Sequence, residues 1–181
     1  MKIFIDFETT GLLEPKAKGA AAQPYAIEFY GVVYTDDMEE KLQEYECMIK
    51  PPVPISPEIT KITGITNDDL ADKDPFIQHL DALQDLFLGV TTLVAHNAQY
   101  DKGILQWELE RLNAVTKFPW PPVTVCTVEQ STSLKRHRLK LIDLYEMATG
   151  KRYDDKAHRA KDDVEALVVC YRWLREKGLI I

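Results

Sequence analysis

Asp6 and Glu8 stand two residues apart in the run Lys2 to Glu8, which reads Lys-Ile-Phe-Ile-Asp-Phe-Glu. Its β-branched and aromatic residues favour a strand. Alternate side chains of a strand share a face, so the two carboxylates point the same way, roughly 6–7 Å apart along the backbone. Carboxylates that leave an apolar strand together repel each other and resist losing water. A divalent cation between them removes both penalties. The run breaks at Thr9-Thr10-Gly11, where the glycine lets another segment approach.

Three more clusters carry chemistry-bearing residues. His96-Asn97-Ala98-Gln99-Tyr100-Asp101 falls at a strand-to-helix junction, and His158 precedes Asp163 at the start of a helix. Ile62-Thr63-Gly64-Ile65-Thr66 forms a loop that precedes both in sequence. A histidine exchanges a proton near neutral pH. Hard carboxylate oxygens suit magnesium or manganese.

The elements that must position these residues follow from periodicity. After the first strand, Gly11 to Pro24 reads as a loop. Ala26 to Tyr34 is a second strand, Thr35-Asp36-Asp37 a turn, and Leu42 to Ile49 a half-buried third strand. Short helical pieces are expected at Pro57–Ile62 and Asn67–Ala71. Pro75 opens a helix with the apolar stripe Phe76, Leu80, Leu83 and Phe87. Thr91 to Ala95 is a short strand, Asp101 to Leu112 a helix and Val123 to Cys126 a last strand. Leu141 to Ala148 is a helix closed by Gly150, and the stripe Val164, Leu167, Val168, Tyr171 and Leu174 marks the final one. Three strands in a meander, then alternating helices and strands, predict an α/β mixed sheet with helices on both faces. Acids at the ends of central strands in such a sheet lie where ligands bind. Residues 1–181 read as a single domain.

Composition bounds the rest. The chain has 181 residues and 45% hydrophobic content, ordinary for a globular protein. No apolar run approaches the roughly 18 residues of a membrane span, and acids interrupt any signal-like stretch at the N-terminus. Cys47, Cys126 and Cys170 lie far apart and form no metal or redox spacing, which suggests a reducing, cytoplasmic setting. The net charge of −7 argues against a nucleic-acid partner, but its distribution weakens the objection. Residues 131–181 carry +4 and the remainder −11. Lys135-Arg136-His137-Arg138 in that basic third is a candidate for phosphate contact.

In sequence order, Asp6-Phe7-Glu8-Thr9-Thr10-Gly11, then His96-Asn97-Ala98 with Asp101, then His158, Ala160 and Asp163 resemble the motifs of the DnaQ-like 3′→5′ exonucleases of the DEDDh type. That family includes proofreading subunits of bacterial replicative polymerases. The matches span almost the whole chain, and their order makes a strong signal where each alone is weak. The resemblance implies an RNase H-like fold with a five-stranded sheet and two divalent cations, Mg2+ or Mn2+. It implies that Asp6, Glu8, Asp101 and Asp163 ligate metal, and that His158 is the general base that prepares a water for attack. Thr9, Thr10, Gly11, Leu12 and Asn97 are then substrate-binding, with Leu12 pressing on the terminal base. Tyr100 stands where phenylalanine is usual, Tyr30-Gly31 where Gly-Ala is usual, and Cys126-Thr127 where Asp-Thr is frequent.

Bland readings exist for each residue. Asp6 and Glu8 alone would read as exposed acids on an edge strand. Asp163 and its neighbour Asp162 would both favour a helix N-terminus, but the spacing from His158 selects Asp163 and leaves Asp162 facing solvent. Asn97 is expected to cap the helix before Asp101 as well as shape the site. His96 is expected to be structural or solvent-facing. His158, with little rigid structure around it, is expected to be mobile without nucleic acid. The function implied is a metal-dependent exonuclease that acts on single-stranded or frayed DNA 3′ ends and releases nucleoside 5′-monophosphates. The alternatives are an RNA-trimming exoribonuclease and a non-catalytic nucleic-acid-binding module. The sequence names no polymerase or other protein partner.

Overall fold

The computed structural model describes residues 1–135, 137–152 and 158–180. Arg136 of the basic run, and Lys156 and Ala157 before His158, lie outside the described residues. Five strands form one sheet: β1 (Lys2–Thr9), β2 (Ala26–Tyr34), β3 (Lys41–Met48), β4 (Thr92–Ala95) and β5 (Val123–Cys126). Their order is β3-β2-β1-β4-β5. β1, β2 and β3 are antiparallel, whereas β4 runs parallel to β1 and β5 parallel to β4. The expected mixed sheet, meander first, is the observed one.

The alternation of β1 divides the core. Ile3, Ile5 and Phe7 face one side, where they pack with α3 (Phe76–Phe87) and α4 (Ala98–Arg111) through Leu83, Phe87, Ile104, Leu105 and Leu109. Phe4 faces the other side, against Val164, Leu167 and Tyr171 of α7 (Ala160–Glu176) and Leu144 of α6 (Leu141–Thr149). By the same alternation Asp6 and Glu8 point toward α7. A smaller cluster of Ile27, Ile55, Ile65 and Leu70 seats α1 (Pro57–Thr63) and α2 (Asn67–Leu70) beside the sheet.

Two expectations needed correction, and one held in detail. The third strand is half-buried as its alternation suggested, with Tyr45, Cys47 and Ile49 inward of Glu44, Glu46 and Met48, and its first half, Lys41 to Glu44, is exposed. It is an edge strand, and the apolar residues of α3 pack only over its far half, against Tyr45 and Cys47. The helix expected from Asp101 begins at Ala98, because Asn97 adopts a left-handed conformation (φ 75°) that turns the chain from β4 straight into α4. A short helix, α5 (Thr127–Gln130), follows β5 where no element was expected. Gly150 closes α6 in the left-handed conformation, as expected. The glycine in Tyr30-Gly31 has a packing cause, since a Cβ there would lie 2.7 Å from the Phe29 ring.

Candidate active site

The site lies where β1 and β4 end side by side. Strand pairing between them stops at Phe4 and Val94, and the chain after β4 leaves the sheet for α4. Beyond that point the N–H of Phe7, which lies opposite Phe29 on β2, is taken from the side of α4. The buried carboxylate of Asp101, one turn into α4, accepts it at 3.2 Å. The β1–β2 register shifts between Glu8, opposite Glu28, and Thr9, opposite Ala26, a local irregularity at the end of β1.

Asp6, Glu8 and Asp163 each bring a carboxylate oxygen to within 4.8 Å of the others. Asp163 lies three residues into α7, and Asp162 beside it is exposed. Asp101 lies outside this trio, bound to the backbone between Asp6 and Glu8, yet close enough for its charge to act on Asp6. Burial is the first cause of the raised proton affinities, and mutual repulsion the second. Asp6 is pushed well above the ordinary carboxylate range by desolvation and then by Asp101 and Asp163. Glu8 is pushed up to about 8 by desolvation, then by Asp163 and Glu28. Asp101 is raised by desolvation, against the lowering effect of the Phe7 N–H. Oxygen donors crowded this closely, and this reluctant to ionise together, suit a hard divalent cation.

His158 is better held than its neighbours in sequence suggested. Its N–H donates to the carbonyl of Ile62 at 3.1 Å, at the end of α1, where Gly64 turns left-handed (φ 72°). This gives the Ile62–Thr66 segment a role beside the site. The Nδ1 of His158 lies 3.4 Å from Asp163 Oδ2, and half of the side chain is exposed. A carboxylate at Nδ1 selects the tautomer with Nε2 free to accept a proton.

The turn after β1 is braced from several sides. Thr9 Oγ1 donates to the Gly11 carbonyl at 2.8 Å and contacts Tyr100 Oη at 2.6 Å. Tyr100 Oη itself lies 2.7 Å from the Gly11 carbonyl. The hydroxyl that distinguishes Tyr100 from phenylalanine therefore ties α4 to this turn. Thr10 exchanges backbone and side-chain bonds with Tyr25. Leu12 projects into solvent, 83% exposed. Next to Tyr100 a cleft of about 780 Å3 opens between Leu13–Lys16 and α4, with Asn97, Lys102 and Trp107 on its walls.

Asn97 makes no side-chain cap to α4. Its left-handed backbone does not direct the side chain back at the helix N–H groups, and its Oδ1 accepts from Arg138 Nη2 at 2.8 Å instead. One member of the basic run is thereby joined to the second motif. His96 is structural: Nδ1 contacts Thr127 Oγ1 at 2.9 Å, Nε2 meets the Leu139 carbonyl at 3.1 Å, and burial lowers its pKa to about 4.

Sequence reading missed Glu28 and Arg159. Glu28, directly opposite Glu8 across the β1–β2 pair, is 2% exposed and accepts from Arg159 Nε at 3.0 Å, from Arg159 Nη2 and from the Ala160 N–H at 3.0 Å. It also missed Arg111, whose Nη2 donates to the carbonyls of Ala20, Gln23 and Pro24 while its Nη1 pairs with buried Glu108 at 3.1 Å. This clamp orders the Gly11–Pro24 segment, which forms two short 3-10 turns.

The model of the RNase_T exonuclease family matches residues 3–171, and the chain belongs to that family. Subunit epsilon of DNA polymerase III from Pasteurella multocida (strain Pm70) is 32% identical over 112 residues, which cover 62% of this chain and 43% of that protein. The epsilon subunit of Haemophilus influenzae (strain ATCC 51907 / DSM 11121 / KW20 / Rd) is 30% identical over 135 residues, 75% of this chain and 50% of that one. The chain thus spans about half the length of these relatives. The fold is also similar to that of exonuclease X solved in complex with 5′ overhanging duplex DNA, with a TM-score of 0.69, 21% identity, and coverage of 100% of this chain and 95% of that one.

Proposed function

We propose that residues 1–181 act as a metal-dependent 3′→5′ exonuclease domain that removes nucleoside 5′-monophosphates from single-stranded or frayed DNA ends. The observation that carries this reading is the meeting of Asp6, Glu8 and Asp163 within 4.8 Å, with His158 against Asp163. Asp6, Glu8, Asp101 and Asp163 are the residues to hold two divalent cations, Mg2+ or Mn2+. Such ions activate a water and stabilise the attacking and leaving oxygens of a displacement at phosphorus.

The protein's own groups do the rest. His158, oriented through Nδ1, takes a proton at Nε2 from the attacking water. Thr9, Thr10, Gly11, Leu12 and Asn97 receive the terminal nucleotide, with the braced turn setting where its 3′-hydroxyl can sit. The cleft beside Tyr100, with Lys16 and Lys102 at its edges, suits a phosphate backbone. DNA is favoured as substrate because the relatives named above are subunits of a DNA polymerase. A reducing, cytoplasmic setting fits three buried free cysteines, and among the described residues no helix is long and apolar enough to cross a membrane.

The test uses labelled single-stranded DNA and RNA of one sequence with Mg2+, Mn2+ or a chelator. DNA is expected to shorten from its 3′ end with release of mononucleotides, faster than RNA and not at all in chelator. A circular strand should survive. Cutting of the circle, or cleavage that persists in chelator, contradicts the proposal, and faster loss of RNA replaces it with an exoribonuclease. His158→Ala should keep metal binding and lose turnover by roughly 10²–10⁴-fold.

A further inference from the structure

Glu28 is a carboxylate where apolar side chains would be cheaper. Its neighbours on β2 are Ile27 and Phe29, both buried, and its own exposure is 2%. Its charge adds to the repulsion on Asp6 and Glu8. Glu28 is buried while Arg159 is 41% exposed, and an ion pair so placed is weak as a stabiliser compared with well-packed apolar groups. The geometry shows what the pair does instead. Arg159 Nε reaches both oxygens of Glu28, at 3.0 and 3.1 Å, and Arg159 Nη2 reaches one of them. The remaining acceptor capacity takes the N–H of Ala160, the first residue of α7. The entrance to α7 is thereby strapped to the middle of the sheet, directly beside Glu8.

Two groups hang from that entrance. Asp163 lies inside α7; its own N–H donates to the Arg159 carbonyl at 3.0 Å, and the apolar face of the helix, from Val164 to Leu174, is buried on β1 and β2. The packing of the helix holds Asp163 in addition to its bond to Arg159. His158 precedes the helix, is half exposed, and has the Ile62 carbonyl and the 3.4 Å contact with Asp163. Its peptide is joined to Arg159, so the strap fixes His158 far more than it fixes Asp163.

We propose that Glu28 and Arg159 are positioning residues that act on turnover through His158: a strap from buried Glu28 on β2 to the partly exposed residue next to the base. The proposal rests on the reading of His158 as the base. The test is a double-mutant cycle on steady-state cleavage of single-stranded DNA at saturating metal, with Arg159→Gln, His158→Ala and the pair together. Misplacing a catalytic group by about 1 Å costs up to about 10²-fold, so Arg159→Gln alone should lower kcat by roughly 10- to 100-fold with KM little changed once metal is saturating. In the His158→Ala background it should cost less than about threefold, because the group it positions is gone.

Arg159→Lys, which keeps the charge and loses the fork, provides the milder variant if Arg159→Gln fails to fold. It should lose a smaller factor, and that factor should also vanish without His158. Equal losses with and without His158 overturn the strap while leaving His158 as base. Wild-type turnover by His158→Ala alone removes the base and the strap together.

Discussion

Glu8 and Glu28 face each other across two hydrogen-bonded strands, yet the molecule treats them in opposite ways. Glu28 has its cation built in, through Arg159 and a helix N–H. Glu8 has Asp6 and Asp163 as its near neighbours and is pushed up to about 8. Glu108 repeats the first arrangement, buried against Arg111 and accepting the Ala26 N–H at 2.8 Å. A carboxylate whose counter-charge comes from the chain serves the architecture. A cluster of carboxylates whose mutual repulsion the chain leaves standing is suited to cations from solution.

The largest effect that would separate these regions comes from the acid cluster. Asp6→Asn should lower nuclease activity by roughly 10³-fold or more, the scale of a lost electrostatic contact at a reacting centre. It should also raise the melting temperature of the metal-free protein, since one source of repulsion is gone. Wild-type-like cleavage, or a fall in the metal-free melting temperature, would place Asp6 with the structural acids. Glu108→Ala should do the reverse. It breaks a buried pair and should cost about 3 kcal/mol of stability by urea unfolding, while metal binding by the folded protein stays intact. A loss below about 0.5 kcal/mol would mean that the Arg111 clamp contributes nothing by this route.

The pH dependence distinguishes the regions next. Glu8 holds its proton up to about 8 in the folded, metal-free protein, against an ordinary value of 4.5 when unfolded. Between these values the folded state binds more protons, so metal-free stability should fall as pH rises from 4.5 through about 8. Asp6 and Asp101 shift in the same direction. Melting temperatures in chelator and in Mg2+ should therefore diverge with increasing pH, and a constant gap would contradict the account. The smallest effect is expected at Tyr100→Phe. It removes the hydroxyl contacts with Thr9 and Gly11 and should cost about 1 kcal/mol, with a change in activity below tenfold. A larger loss of activity would give the Tyr100 hydroxyl a direct part in binding the substrate.

Much of this comparison could be read from the chain before the structure. The β1 alternation put Asp6 and Glu8 on one face, and the β2 and β5 boundaries, Ala26–Tyr34 and Val123–Cys126, matched because their apolar runs are bounded by turn residues. The built-in cations were not legible. Glu28 and Arg159 are 131 positions apart, and no periodic pattern links a strand glutamate to the residue before a distant helix. Asn97 read as a cap because residue type predicts capping, whereas the left-handed backbone that prevents it is set by the turn from β4. His158 read as loosely held because its anchors, Ile62 and Glu28 through Arg159, come from other parts of the chain.

The central claim, that Asp6, Glu8 and Asp163 form a cation site in which Glu8 gives up a proton when metal arrives, is tested most directly by calorimetric titration. Metal-free protein at pH 7 would be titrated with Mn2+ in two buffers of different ionisation enthalpy, with Asp6→Asn alongside. The account predicts that binding releases protons, because Glu8 titrates near 8 before metal binds. It also predicts that the variant loses both the binding and the release. Binding without proton release, or unaltered binding by Asp6→Asn, would contradict it.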